Sequence, residues 1–201
     1  MKKGLIALIA IVAILVIGGL WLARTNNNLV PLDEEVSSQW GNVESSYQRR
    51  ADLIPNIVNT AKGYAEFEQS TLIGVIEARS KATSINIDPS NITPAQLRQF
   101  QEAQSGLTSA LSRLLAVFER YPDLKANENF KELINELERT ENRINVERNR
   151  FNEKAKILNS EIRMFPTNLA AGILGFDNRA YFEADAGSEN APEVEFDFGT
   201  K

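Results

Sequence analysis

Residues Gly4 to Ala23 form an unbroken run of twenty uncharged, mostly apolar residues, with Lys2 and Lys3 just before it. A helix rises about 1.5 Å per residue, so the run spans roughly 30 Å, the thickness of a bilayer's hydrocarbon core. A cleaved leader would carry a shorter apolar stretch followed by small residues at a cutting site. Here the run is long and ends in Trp21-Leu22-Ala23-Arg24. Residues 1–25 are therefore expected to be a retained, single transmembrane helix, which makes the membrane the chain's first partner. Two lysines and the amino terminus precede the run, and Arg24 alone follows closely. The positive-inside rule then puts the N-terminus in the cytoplasm and the rest of the chain outside the inner membrane. Gly19 and Ala23 are a small-xxx-small pair of the kind that lets such helices pack.

The remaining residues suffice for one domain with a real core. With Lys2 and Lys3 set aside, 20 of the 22 basic residues face 27 acidic ones, a net of −7. That balance argues against nucleic acid as a partner, because phosphate binding needs a basic surface. There is no cysteine and no histidine. Disulfides, thiolate metal sites, cysteine nucleophiles and the Ser-His-Asp arrangement are excluded. Carboxylates abound, as in the Glu138/Glu141 and Glu132/Glu136 pairs. Di-metal helical proteins add a histidine to such pairs, and none is available. No cofactor, no metal and no catalytic residue is expected.

Asn26-Asn27-Asn28 reads as a polar linker within residues 26–32, and Asp33 as the cap of a first domain helix. Val36, Trp40, Val43, Tyr47, Ile54, Val58, Ala61, Ala65, Leu72 and Val75 then recur mostly at helical spacing. Pro55 interrupts them. Either the helix kinks near Arg50–Leu53, or two helices meet there with Asp52 capping the second. Ser84 to Pro94 is a loop by composition. Thr93-Pro94-Ala95-Gln96 combines a cap, a first-turn proline and a capping-box glutamine. Leu97, Phe100, Gln104, Leu107, Leu111, Leu114, Phe118 and Tyr121 follow at gaps of three and four, a narrow seam with Gln104 its one polar member.

Asn127 can cap a last long helix. Phe130, Leu137, Ile144, Phe151, Leu158 and Phe165 fall every seven residues, with Leu133, Thr140, Ala155 and Ile162 between them, and Pro166 ends the helix. The fold expected is all-α: an N-terminal transmembrane helix, then an antiparallel bundle of three long helices over residues 33–166, four if the first splits near Pro55. Residues 167–182 form a short apolar segment. Residues 183–201 form an acidic, flexible tail, in which Glu193–Phe198 alternates charge and apolar side chains as a strand would.

Some polar residues fall where core is expected. Arg49, Arg50 and Asp52 surround the Pro55 break; Arg79 follows Leu72 and Val75; Glu119, Asn142, Asn152 and Asn159 flank the later seams. Buried charges must be paired, so these residues either set helix register or line a polar groove for a partner or ligand. Trp40, Tyr47, Arg49, Arg50, Asp52, Pro55, Arg79, Glu119, Asn142 and Asn152 are the candidate partner-binding or register-setting set. Sustained heptad seams also point to self-association.

Taken together the segments resemble the LemA family of bacterial membrane-anchored proteins. The resemblance lies in Asn28-Leu29-Val30, Trp40, the run Tyr47 to Asn56, Lys62-Gly63-Tyr64-Ala65, Ala78-Arg79, Glu119 and Tyr121 to Asn127. It continues through Thr140 to Ile144, Asn152-Glu153, Phe165-Pro166, Gly175-Phe176 and Tyr181-Phe182-Glu183. One departure is Glu66-Phe67-Glu68, where the family often has a histidine beside a glutamate. The resemblance implies a short N-terminal anchor and an antiparallel helical bundle, and it supplies no active site. A non-enzymatic envelope scaffold is the first reading. An accessory subunit of a membrane enzyme or transporter is the second. A ligand-binding or carboxylate-based domain using Arg49, Arg50, Asp52, Arg79 and Glu119 is the third.

Overall fold

The computed structural model describes residues 2–64 and 68–183. Ala65, the Glu66-Phe67 departure, and the acidic tail with its Glu193–Phe198 alternation lie outside the described residues. Among the described residues the regular elements are helices, with no strand: α1 (Lys2–Lys62), α2 (Gln69–Thr83), α3 (Pro94–Phe118), α4 (Pro122–Ala126), α5 (Glu128–Arg163) and α6 (Thr167–Leu174), with a 3-10 turn at Pro89–Asn91.

Helix α1 is a single element of 61 residues, about 90 Å long. In its apolar N-terminal third the large side chains from Leu5 to Leu20 are exposed among the described residues, and this stretch is long and apolar enough to cross a membrane. Two expectations are corrected here. The asparagines at 26–28 are not a linker; the helix runs through them and through Pro31, and Asp33 caps nothing. Each asparagine costs only about half a kcal/mol in a helix. Burying Leu29 and Thr25 on the same turns outweighs that.

Of the two alternatives at Pro55, the helix is continuous and the split falls: α1 runs through Pro55, and Asp52 accepts a side-chain bond from Gln48 at 2.8 Å instead of capping a second helix. The break falls after Lys62. Gly63 and Tyr64 turn the chain with amide bonds back to Thr60 and Ala61, and α2 begins at Gln69.

The other start signals act as read. Thr93 and Gln96 form a reciprocal capping box, and Asn127 Oδ1 accepts the amide of Phe130 at 3.0 Å. The seam of α3 is buried from Leu97 to Phe118, with Gln104 among its members. In α5 the heptad series is buried from Phe130 to Leu158. Its last member is corrected: the helix stops at Arg163, before Pro166, and Phe165 is 81 % exposed.

Side-chain pairs fix the directions of the helices. Glu35 meets Lys154, Gln39 meets Glu147, and Arg50 meets Glu141, so α1 and α5 are antiparallel. Arg79 reaches Ala51 and Gln104 reaches Ala82, so α2 runs against both α1 and α3. Two apolar cores result. One gathers Ile54–Ala61, Leu72–Ala82, Leu107–Phe118, Leu124, Phe130 and Leu137. The other gathers Leu29–Tyr47, Ile87–Phe100, Ile144–Ile162, Ala171 and Phe182.

Candidate functional site

The two cores are parted by one polar layer. On α1 it is Arg50, between Tyr47 and Ile54; on α3 it is Gln104 and Thr108; on α5 it is Glu141, between Leu137 and Ile144. Arg50 is 1 % exposed. Its Nη1 donates to Glu141 Oε2 at 2.7 Å and to Thr108 Oγ1 at 3.0 Å, and its Nη2 donates to Gln104 Oε1 at 2.6 Å. The guanidinium also lies 5.1 Å from the Tyr47 ring centroid. Gln104 Nε2 passes the network on to the Ala82 carbonyl of α2 at 3.2 Å. One arginine therefore ties four helices, and its planar fork matches a layer of divergent acceptors. Its Nε has no acceptor among the described residues. A charge at this depth is tolerated because it is paired and hydrogen-bonded, and it penalises any slip of the helices.

Arg79 and Pro55 meet through a backbone group. Proline has no N–H to donate to the carbonyl four residues earlier, which is that of Ala51. Arg79 Nε donates to that carbonyl at 2.7 Å. A side chain on α2 thus replaces the bond that Pro55 removes from α1.

A third arrangement lies nearer the N-terminal half of the domain. Trp40 is buried and packs on Phe100, Phe151 and Phe182, with ring centroids 5.3, 5.7 and 5.9 Å away. Phe182 belongs to the segment that follows α6. Gly175, with φ at 80°, closes that helix and lets the Phe176 amide reach back to Ala171. The chain then runs past α5, where two asparagines hold its backbone. Asn159 donates to the Arg179 carbonyl at 2.8 Å and accepts the Arg179 amide at 2.7 Å. Asn152 does the same for Phe182, at 2.9 and 2.8 Å. Seven helical residues advance about 10.5 Å and three extended residues about 10 Å, so the two spacings match. Arg179 itself, buried, donates to Asp33 of α1 at 2.5 and 3.2 Å. Residues 167–182, expected as one apolar segment, are thus a helix followed by a strap.

The remaining sequence-derived candidates point elsewhere. Arg49 is exposed and lies 3.8 Å from Glu136. It lines an open groove of ≈ 630 Å³ with Arg139, Asn142, Arg143 and Arg150. Asp52 is exposed, and Glu119 ends α3 in an ion pair with Lys125. Arg49, Arg50, Asp52, Arg79 and Glu119 therefore do not converge on one pocket. The cavity beside Arg50 is small, ≈ 60 Å³, and on its walls Arg50 already bonds Gln104, Thr108 and Glu141.

Sequence reasoning missed three contributors. Glu147 is buried and accepts from Gln39 at 2.8 Å and Arg150 at 3.1 Å. It fills the slot between Thr140 and Ala155 in the intermediate series of α5, where an apolar residue belongs. Asp33, a cap by its place in the sequence, instead holds Arg179; nothing in the order of residues signals that pair. On the outside of the same interface Glu35 accepts from Lys154 at 2.8 Å, and this bond holds the lysine above its ordinary pKa.

These features define an all-helical protein with two cores, a charged layer between them, and an N-terminal helix long and apolar enough to cross a membrane. The chain belongs to the LemA family, whose model matches residues 39–196. It is 29% identical over 158 residues to Protein LemA of Metamycoplasma hominis, covering 79% of this chain and 68% of that one. It is 27% identical over 176 residues to Magnetosome protein MamQ 2 of Paramagnetospirillum magneticum, covering 78% of this chain. The match spans 64% of the length of that relative.

Proposed function

We propose that this protein is a membrane-anchored, non-enzymatic scaffold of the bacterial envelope that assembles with copies of itself. The carrying observation is the continuity of α1. An exposed apolar segment of membrane-crossing length and the central helix of the domain are one element, so the domain is held at a set angle to its anchor. Such a part positions other molecules. The polar layer at Arg50 and the Arg79–Ala51 bond fix helix register, which a scaffold needs in order to present constant surfaces. The charge pattern around the anchor supports a cytoplasmic N-terminus with the domain outside. Protease accessibility of the loop between α2 and α3 in spheroplasts, against lysed cells, tests that side. Cross-linking of the full chain in intact membranes tests assembly: multimers are expected, and a strictly monomeric, partner-free product contradicts it.

The open groove lined by Arg49, Arg139, Arg143 and Arg150 favours a second reading, an accessory or regulatory subunit of a membrane enzyme or transporter. Affinity purification with and without residues 183–201 separates the two. Loss of a distinct partner with self-association intact supports the second.

A further inference from the structure

Among the described residues, the large apolar side chains at 50 % exposure or more gather in two places, while Val30, Ile73, Ile76, Val146, Ile157 and Tyr181 are exposed at 40–46 %. One is the N-terminal run of α1. The other is compact: Met164, Phe165, Leu169 and Ile173, exposed at 55, 81, 58 and 73 %. Leu169 and Ile173 stand one turn apart on α6, and Ala170 and Ala171 bury its opposite face against the domain. Helix α6 carries no charge. A patch of this kind on a folded chain marks a surface that something covers.

The level of the patch identifies what covers it. Helix α5 runs antiparallel to α1 with Lys154 opposite Glu35. Eleven more residues bring Phe165 to about the level of residue 24, where the apolar run ends. Helix α6 packs against α1. Along α1 the side chains of Trp21 and Leu22 are partly covered and Thr25 is buried. Trp21 is the residue type that settles at the headgroup boundary, and Arg24 and Arg163 stand at the same level. We infer that α6, with Met164 and Phe165, is a second membrane contact: an interfacial element whose exposed face enters the headgroup–acyl boundary of the bilayer that α1 crosses. This rests on the reading of α1 as a membrane anchor, and deepens it. With two contacts, the domain is seated on the bilayer and cannot swivel freely about α1.

The chain has no cysteine, so single cysteines can carry an environment-sensitive fluorophore. The probes are Ile173→Cys on α6, Leu15→Cys in the anchor and Ser112→Cys on the exposed side of α3, each in the full chain. The protein is reconstituted in phosphatidylcholine vesicles, with and without brominated lipid: brominated near the top of its acyl chains for the Ile173→Cys and Ser112→Cys probes, and near the chain ends for the deeper Leu15→Cys probe. The Ile173→Cys probe is expected to emit to the blue and to lose most of its emission in brominated lipid, while the Ser112→Cys probe keeps its emission. A blue-shifted Ile173→Cys probe that bromine leaves untouched means that protein covers α6, and overturns the inference. An unshifted probe overturns it too. If Leu15→Cys is quenched and Ile173→Cys is not, the anchor stands and the interfacial contact falls. If neither is quenched, the anchor reading falls with it.

Discussion

Arg79 donates its Nε–H to the carbonyl of Ala51 at 2.7 Å, on the residue whose helical donor is missing because position 55 is proline. The helix survives Pro55 because its neighbour completes it. Ala51 is buried, and leaving its carbonyl without a donor costs about 1–3 kcal/mol. Arg79→Met is expected to lose that much in denaturant unfolding. In a Pro55→Ala background the backbone amide at 55 serves Ala51, so the same substitution should cost far less. A coupling of about 1–2 kcal/mol in the double-mutant cycle is the expected result. Additive losses would mean that the bond is incidental.

Arg50 is the second point of leverage. Replacing it with Met keeps the stem and removes the fork, leaving Gln104 Oε1 unserved in the interior. Losing one partner of a buried, hydrogen-bonded pair costs roughly 3 kcal/mol. Glu141→Gln should cost less, because Glu141 is 40 % exposed and the amide oxygen still accepts. A full replacement of the layer by well-packed apolar residues would keep most of the stability and lose register. Loss of register would be visible as broadened side-chain NMR signals with the helix content retained.

The strap is held by two asparagines one heptad apart. Asn152→Ala is expected to free the Phe182 amide and Asn159→Ala the Arg179 amide, each read as lost hydrogen-exchange protection at that residue. Each should cost about 1–2 kcal/mol. If Phe182 stays protected in Asn152→Ala, the stacking of Phe182 on Trp40 suffices to hold the strap alone.

Much of this was legible in the sequence, for physical reasons that differ between elements. The capping box at Thr93–Gln96 and the cap at Asn127 are local, so their signals are complete in a few residues. The heptads of α5 and the seam of α3 are periodic, and a period survives without knowledge of the partner. Gln104 stood out in that seam because it broke the period. The misreadings share another cause. Asn26–Asn28 are weak helix residues judged one by one, and Pro55 left a continuous helix and a split both open; what keeps the helix whole at each is contact with segments far along the chain: the core around Leu29, and Arg79. Phe165 kept the heptad spacing after the helix that gave the spacing meaning had ended at Arg163. The Asn159–Arg179 and Asp33–Arg179 pairs join residues whose proximity only the fold creates.

The most direct test of the central claim, that anchor and domain share one unbroken helix, is a distance measured between two spin labels on α1. Leu15→Cys and Gln48→Cys lie 33 residues apart in that helix and both positions are exposed. In the full chain reconstituted in vesicles, the distance is expected to be roughly 50 Å with a narrow distribution. A broad distribution centred well below that value would make Asn26–Asn28 a hinge, and would contradict the picture of a domain held at a fixed angle on its anchor.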